Sequence, residues 1–418
     1  MRDFFRSSIV MFAFLVISFC VDAQSEAIRA IENKISGKEK EIDGLKAELE
    51  TSKLSYYKGE LLKWGLPAKS PEEEIIEHSL MVIDYDEDKE QAKWVAHVLS
   101  PDIIAGNLSR SNDFREDEKV KNGSSTEIDF FLKTPKGDGE FNYDGFGYDR
   151  GHLAPSADFR WSELAMSESY LYSNMSPQLA DFNRASWADL ENNLRSYVFR
   201  NPDSYLFVVT GPVFLQDVKR VERSPNKIAI PDAFFKVAID RNLQKGVAFL
   251  MPHHSDLLGP ENYCLSIDSL ETITGIDFFP ALEDGLEASL EADTSFEAWI
   301  PSLDNGDVLP ISAVSLPRGH FNTTQAMRYM DTGETVTVCG TVVSSKKTSK
   351  GTVFLNLDKQ FPDQVFTVTI WNDDRIHFSY DPSLAFDNQK VCFTGKVANF
   401  DGVPSMNISK EKAIKLYP

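Results

Sequence analysis

The chain has 418 residues, more than one ordinary domain needs and enough for two or three. Hydrophobic residues make up 42% and charged residues 26%, an ordinary soluble balance that excludes a low-complexity chain. A formal charge of −21 excludes a protein that coats polyanions through bulk positive charge, so a phosphate-bearing partner would need locally clustered Lys and Arg.

Arg2 and Arg6 open the chain, and Ile9 to Cys20 is a mostly apolar run. That run is shorter than the roughly 20 helical residues that span a bilayer. Val21-Asp22-Ala23 then supplies a small residue at a cleavage position. Residues 1–23 therefore read as a signal peptide cut before Gln24, which leaves no transmembrane segment in the mature chain. The competing reading, lipidation at Cys20, is disfavoured by the bulky Phe19 before it. The expectation is an exported protein, periplasmic or extracellular, with three cysteines left after cleavage, Cys264, Cys339 and Cys392.

Residues 24–66 read as one long helix. Ile28, Ile35, Ile42, Leu49 and Tyr56 fall on sevens, Ile31 and Leu45 fill the alternate seam, and Lys38 and Ser52 interrupt it. The pattern fits a homodimer formed through 25–64, or a single amphipathic helix lying on a body. Gly65-Leu66-Pro67 stops it. An acidic entry segment runs from Pro71 to Glu77. Strands are expected at Ser79 to Tyr85 and Trp94 to Leu99, with His78 and His97 as hydrogen-bonded structural histidines. Arg110 to Asp117 is a charged loop, and Gly137 to Tyr148 is rich in Gly and aromatics.

Next comes Asp149-Arg150-Gly151-His152, with Pro155 barring a long helix. A His between an Asp and an Arg suits a general base working on a phosphate: imidazole titrates near neutrality and guanidinium forks onto anionic oxygens. Ser173-Asn174-Met175-Ser176-Pro177-Gln178 follows, then Asn183, Trp187, Leu190 and Glu191. Asn183 and Glu191 are eight apart in what reads as one helix, so one face carries two hard oxygen ligands suited to Mg²⁺. Strands at Tyr205 to Thr210, Phe234 to Ile239 and Val247 to Met251 read as the central sheet beneath the site. His253-His254 makes a poor ligand pair, because neighbours on a strand point to opposite sides.

These motifs resemble the DNA/RNA non-specific endonucleases of the ββα-metal (His-Me finger) superfamily, the endonuclease G-like proteins. The family pattern is D-R-G-H, S-N-x-x-P-Q and N-x-x-x-W-x-x-L-E, and every position is filled here. The resemblance runs over roughly residues 75 to 285. It implies an α+β fold with a ββα-metal nuclease domain over 67–282 and a central antiparallel sheet. It implies a metal-dependent phosphodiester hydrolase acting on DNA and RNA and leaving 5′-phosphates. His152 would be the general base and Asn183 the protein ligand to Mg²⁺, with Mn²⁺ or another divalent ion as the alternative. Glu191 would act on the metal through water, Arg110, Arg150 and Arg195 would bind phosphate oxygens, and Asn174 would orient the site. Phosphate contacts carry no sequence information, so cleavage would be indifferent to sequence and sensitive to salt. The competing class is a catalytically silent, nuclease-like binding or scaffold protein.

Residues 283–325 are acidic and then Pro-rich, and read as a linker region. Residues 326–418 read as a C-terminal five-stranded OB-like β-barrel, with strands at Thr335 to Val343, Thr352 to Leu357, Val365 to Trp371, Lys390 to Val397 and Ser405 to Ser409. Lys346, Lys347 and Lys350 occupy the first connection, where such barrels meet nucleic acid; a protein-contact module is the alternative. Cys339 and Cys392 fall on the polar-facing register of neighbouring strands, where a disulfide would fit.

Overall fold

The computed structural model describes residues 2–64, 66–67, 74–106, 108–137, 140–215, 217–240, 242, 244–294, 296, 299 and 306–417. The side chains of the expected signal segment, along with Gly65, Pro71 and Pro301, lie outside the described residues. Two compact units are present, residues 1–57 and 58–418. The first is helical throughout, as part of α1 (Arg2–Trp64). Its Ile28, Ile31, Ile35, Ile42, Leu45, Leu49 and Tyr56 are all exposed, the seam expected from the sevens. No helix among the described residues is long and apolar enough to cross a membrane.

In the second unit, β1 (Glu74–Glu77), β2 (Met81–Asp86) and β3 (Gln91–Leu99) form an antiparallel run. A hairpin of β4 (Phe131–Gly137) and β5 (Glu140–Gly145) follows, then β6 (Asp149–His152), the short helix α2 (Glu163–Glu168) and β7 (Met175–Gln178). Two helices, α3 (Ala180–Arg184) and α4 (Ser186–Arg200), lead to β8 (Leu206–Val213). The small pair β9 (Lys219–Arg220) and β10 (Ala229–Ile230) precedes β11 (Ala233–Asp240), β12 (Lys245–Pro252), β13 (Cys264–Leu265) and α5 (Ile267–Thr274).

The main sheet has the order β1-β2-β3-β8-β11-β12-β13, antiparallel at every junction. Its central strands are buried along nearly their whole length, which is why Leu206-Phe207-Val208-Val209 and Phe234-Phe235 read as apolar runs rather than alternating ones. Phe182, Trp187 and Phe234 stack on one face, with Phe182 and Trp187 centroids 5.3 Å apart. That aromatic layer fixes α3 and α4 against the sheet.

The expected linker holds regular structure, α6 (Asp284–Glu291) and β14 (His320–Asn322). Beyond it lie β15 (Thr335–Lys347), β16 (Val353–Leu357), β17 (Phe366–Ile370), β18 (Lys390–Phe400), β19 (Val403–Asn407) and β20 (Ile414–Leu416). Their order is β14-β15-β16-β17-β19-β18-β20, and β15 pairs with β18 as well. Cys339 sits directly opposite Cys392 in that second pairing, and the two are joined by a disulfide. Both are buried, against Ile311, Leu316 and Tyr417, rather than on a polar face. The segment before β15 folds back over that register and covers it.

Candidate active site

The D-R-G-H stretch is β6, and it pairs antiparallel with β7, so Gly151 faces Ser176 and His152 faces Met175. A Cβ on Gly151 would stand 2.2 Å from the side chain of Gln178, so the ribbon closes only because residue 151 is Gly. Asn174 staples the turn after His152. Its Oδ1 accepts from the Ala154 N–H at 2.9 Å, and its Nδ2 donates to the Ala154 and Ser169 carbonyls. It is fully buried and orients the loop rather than meeting a substrate.

His152 packs edge-on against Tyr170, with centroids 4.9 Å apart, and beside Phe114 at 5.9 Å. Its Nε2 is enclosed and has no hydrogen-bond partner in the protein. Burial, then the positive charges of Arg110 and Arg150, lower the imidazole pKa to about 3. The ring is therefore neutral at physiological pH. Arg150 lies over Phe114, its guanidinium carbon 3.5 Å from the ring centroid, and reaches the Tyr172 hydroxyl at 3.4 Å. Arg110 is exposed on the preceding loop, and its charge acts on both His152 and Glu191.

Asn183 does not share one helix with Glu191. The chain leaves helical geometry at Ala185, φ −117° and ψ −105°, so α3 carries the amide and α4 the carboxylate. Asn183 Nδ2 donates to Asp149 Oδ2 at 3.0 Å, which sets the amide's orientation. Asp149 also holds Arg184 through two bonds, at 2.8 and 2.6 Å, so it positions rather than ligates. His253 fixes the start of α3: Nδ1 donates to the Pro231 carbonyl and Nε2 accepts from the Leu179 N–H, each within 2.9 Å.

Glu191 is largely buried, and desolvation raises its pKa against the pull of Lys236 and Arg195. Lys236 Nζ and Arg195 Nη2 each stand 3.9 Å from it. Sequence reasoning assigned Lys236 no role. It is 1% exposed, donates to Thr210 Oγ1 at 2.7 Å and lies 4.9 Å from the Trp187 ring. The available signal was a single Lys inside the apolar strand Phe234-Phe235-Lys236-Val237.

Arg195 is 4% exposed and engaged within the protein. Nη1 donates to Asp158 at 2.7 Å, Nη2 to Asn192 at 2.8 Å and Nε to the Ser379 carbonyl. Asp158 also bonds His97 at 2.9 Å, and His78 bonds Asp117 at 2.8 Å, so both histidines are structural. Asn183 and Glu191 are hard oxygen donors, the set that suits Mg²⁺ or Mn²⁺ rather than a thiolate-seeking ion.

The family described as DNA/RNA non-specific endonuclease matches residues 58–285. The bovine (Bos taurus) protein named Endonuclease G, mitochondrial is 31% identical over 53% of this chain and 73% of its own length. A Syncephalastrum racemosum protein named Nuclease is 31% identical over 56% and 76%. The Saccharomyces cerevisiae Mitochondrial nuclease is 25% identical over 61% and 79%. A solved structure described as an EndoG/EndoGI complex is 25% identical with a TM-score of 0.44, covering 54% of this chain and 92% of that one. The mitochondrial names of the bovine and yeast relatives overturn the expectation of export drawn from the N-terminal run. An apolar stretch behind two arginines is a weak signal, since organelle-directed leaders also begin with basic, helical sequence. On the family match and the nuclease relatives together, this chain belongs to the DNA/RNA non-specific endonucleases, metal-dependent nucleases that hydrolyse nucleic acids.

Proposed function

We propose that the chain is an Mg²⁺-dependent endonuclease that cuts DNA and RNA without sequence preference and leaves 5′-phosphates. The observation that carries this reading is His152: a neutral imidazole, unpaired at Nε2, under the positive charges of two arginines. A base must be unprotonated to take a proton; burial, then the two arginines, keep His152 so, and the arginines also attract a phosphodiester. His152 then removes the proton of the attacking water on an imidazole nitrogen. Arg110 and Arg150 hold phosphate oxygens, with Arg150 pre-set by its stack on Phe114. Asn183 would hold the ion through its amide oxygen, and Glu191 would orient a water molecule beside it. When bound, Mg²⁺ supplies Lewis acidity that offsets charge at the phosphorus. Arg195 acts as a positioning residue, keeping Glu191 and α4 in place through Asp158.

The further assignments are a helix over 24–66 that pairs two copies, a nuclease domain over 67–282, a connecting region over 283–325 and a β module over 326–418. The pairing order β15-β16-β17-β19-β18-β15 supports an OB-type barrel for the last of these. The test is plasmid nicking and RNA cleavage with Mg²⁺ and with EDTA, for wild type, His152→Ala and Asn183→Ala. Metal-dependent cutting of both polymers, lost by orders of magnitude in both variants with an unchanged circular dichroism spectrum, is the expected result. Near-normal cleavage by His152→Ala would remove that residue from the role.

A further inference from the structure

A second group of carboxylates lies outside the residues assigned to catalysis. Asp268 and Glu271 stand about one turn apart on α5, and Glu291 ends α6. One oxygen from each lies within 4.8 Å of the others, the sole group of three or more His, Cys, Asp or Glu side chains so placed among the described residues. Proximity alone would leave this an acidic surface. Glu291 makes the difference: its side chain belongs to a residue only 5% exposed, and its buried Oε1 has no hydrogen-bond partner. The charges that act most strongly on it are Glu271, Glu287, Asp268 and Asp277, all carboxylates, and burial with their repulsion pushes it up to about 8. Burial, then neighbouring acids, likewise raise Glu271 and Glu287, against a hydrogen bond from the Phe278 N–H to Glu271.

A buried carboxylate facing other carboxylates is costly, and either a proton or a cation relieves it. The donors are all hard oxygens. Mg²⁺ demands a near-ideal octahedron, whereas Ca²⁺ accepts more oxygens in a looser arrangement. The irregular set of three carboxylates on two helices, completed by water, therefore suits a calcium ion better than a magnesium ion.

We propose that Asp268, Glu271 and Glu291 form a second cation site, structural rather than catalytic, that takes Ca²⁺ and ties α5 to α6. Both helices pack on β12, and α6 begins the passage from the nuclease sheet to the C-terminal module. The ion would fix that exit, and its donors are separate from Asn183 and Glu191.

The test uses the full chain carrying Asn183→Ala, so that catalytic metal binding does not contribute, after removal of bound metal with EDTA. Calorimetric titration with CaCl₂ near neutral pH and thermal melting with and without about 1 mM Ca²⁺ are measured together. The expected result is one Ca²⁺ per chain and a melting temperature several degrees higher with the ion. Adding Glu291→Gln should abolish both. Adding Asp268→Asn, at an exposed position that does not endanger folding, should weaken binding by about ten-fold or more. Absence of a calcium-dependent shift, equal binding in the Glu291→Gln and parent chains, or an equal response to Mg²⁺ would overturn the assignment. A Glu291→Gln chain that is stabilised with no calcium effect in its parent would show that a proton, not a cation, neutralises the cluster.

Discussion

Lys236 shows how much of the site depends on side chains enclosed within the protein. Lys236 is wholly enclosed beside Glu191, and breaking a buried pair from one side strands the remaining charge at a cost of about 3–5 kcal/mol. Lys236→Met should therefore destabilise the fold by about 3 kcal/mol in urea denaturation. Adding Glu191→Gln should return part of that stability while activity stays low, because the carboxylate proposed to orient water is gone. Full stability in the single variant would mean that the pair is not coupled. His152 gives the pH signature. Its pKa falls from an ordinary value near 6.5 to about 3 in the folded state, so between these values the unfolded chain binds the extra proton. Its contribution is complete above about pH 6.5 and is lost as pH falls towards 3. His97, also lowered by burial, and Asp158, lowered by Arg195 and His97, act in the same direction. His152→Asn should flatten part of the loss of stability between about pH 6 and pH 4 in denaturant titrations. An unaltered pH profile would show that the native ring protonates as it does in the unfolded chain.

At the scale of the element, the β6–β7 ribbon carries His152 and Gly151 sets how closely its strands approach. Gly151→Ala places a methyl group into Gln178 and should cost about 1–3 kcal/mol and most of the activity. Gln178→Ala in the same chain should restore stability, since it removes the atoms that the methyl group meets. If the double variant is no more stable than Gly151→Ala, backbone conformation rather than the clash is the cause. This element was legible in part from the Asp149-Arg150-Gly151-His152 motif, and the main strands from apolar runs such as Leu206-Phe207-Val208-Val209, which have few other uses, although β8 continues through Gly211-Pro212 to Val213. The break between α3 and α4 was not. Ala185 is a strong helix former, so propensity reads straight through it, and the turn is imposed by the Phe182–Trp187 stack and by Arg184 held on Asp149. The role of Arg195 was hidden for a similar reason: a motif position gives the residue type, while its partners lie far away in sequence.

For the whole molecule, the feature that periodicity could not reach is the grip of the C-terminal module on α4. Arg160 donates to Ser379 Oγ and Glu411 at 2.6 Å each, Ser196 accepts from the Asp381 N–H at 3.0 Å, and Arg200 donates to the Leu384 carbonyl at 2.7 Å. Gln389 reaches the Phe199 carbonyl, and Arg195 links the same face to Asp158, two steps from Glu191. The contacts with the module join residues 184 to 251 positions apart, and each is an ordinary polar side chain when read alone. They make the β module a brace for the helix that carries Glu191, so its stability should govern that of the active site. The disulfide Cys339–Cys392 gives a way to test this without touching the interface, because it closes a loop of 53 residues inside the module. By loop-closure entropy its removal costs about 4 kcal/mol. Cys339→Ser with Cys392→Ser should lower the stability of the module by that order, and the temperature at which nuclease activity is lost on heating should fall with it. A chain whose module melts earlier while nuclease inactivation stays where it was would show that the two parts unfold independently, and that α4 needs no support from beyond the sheet it lies on.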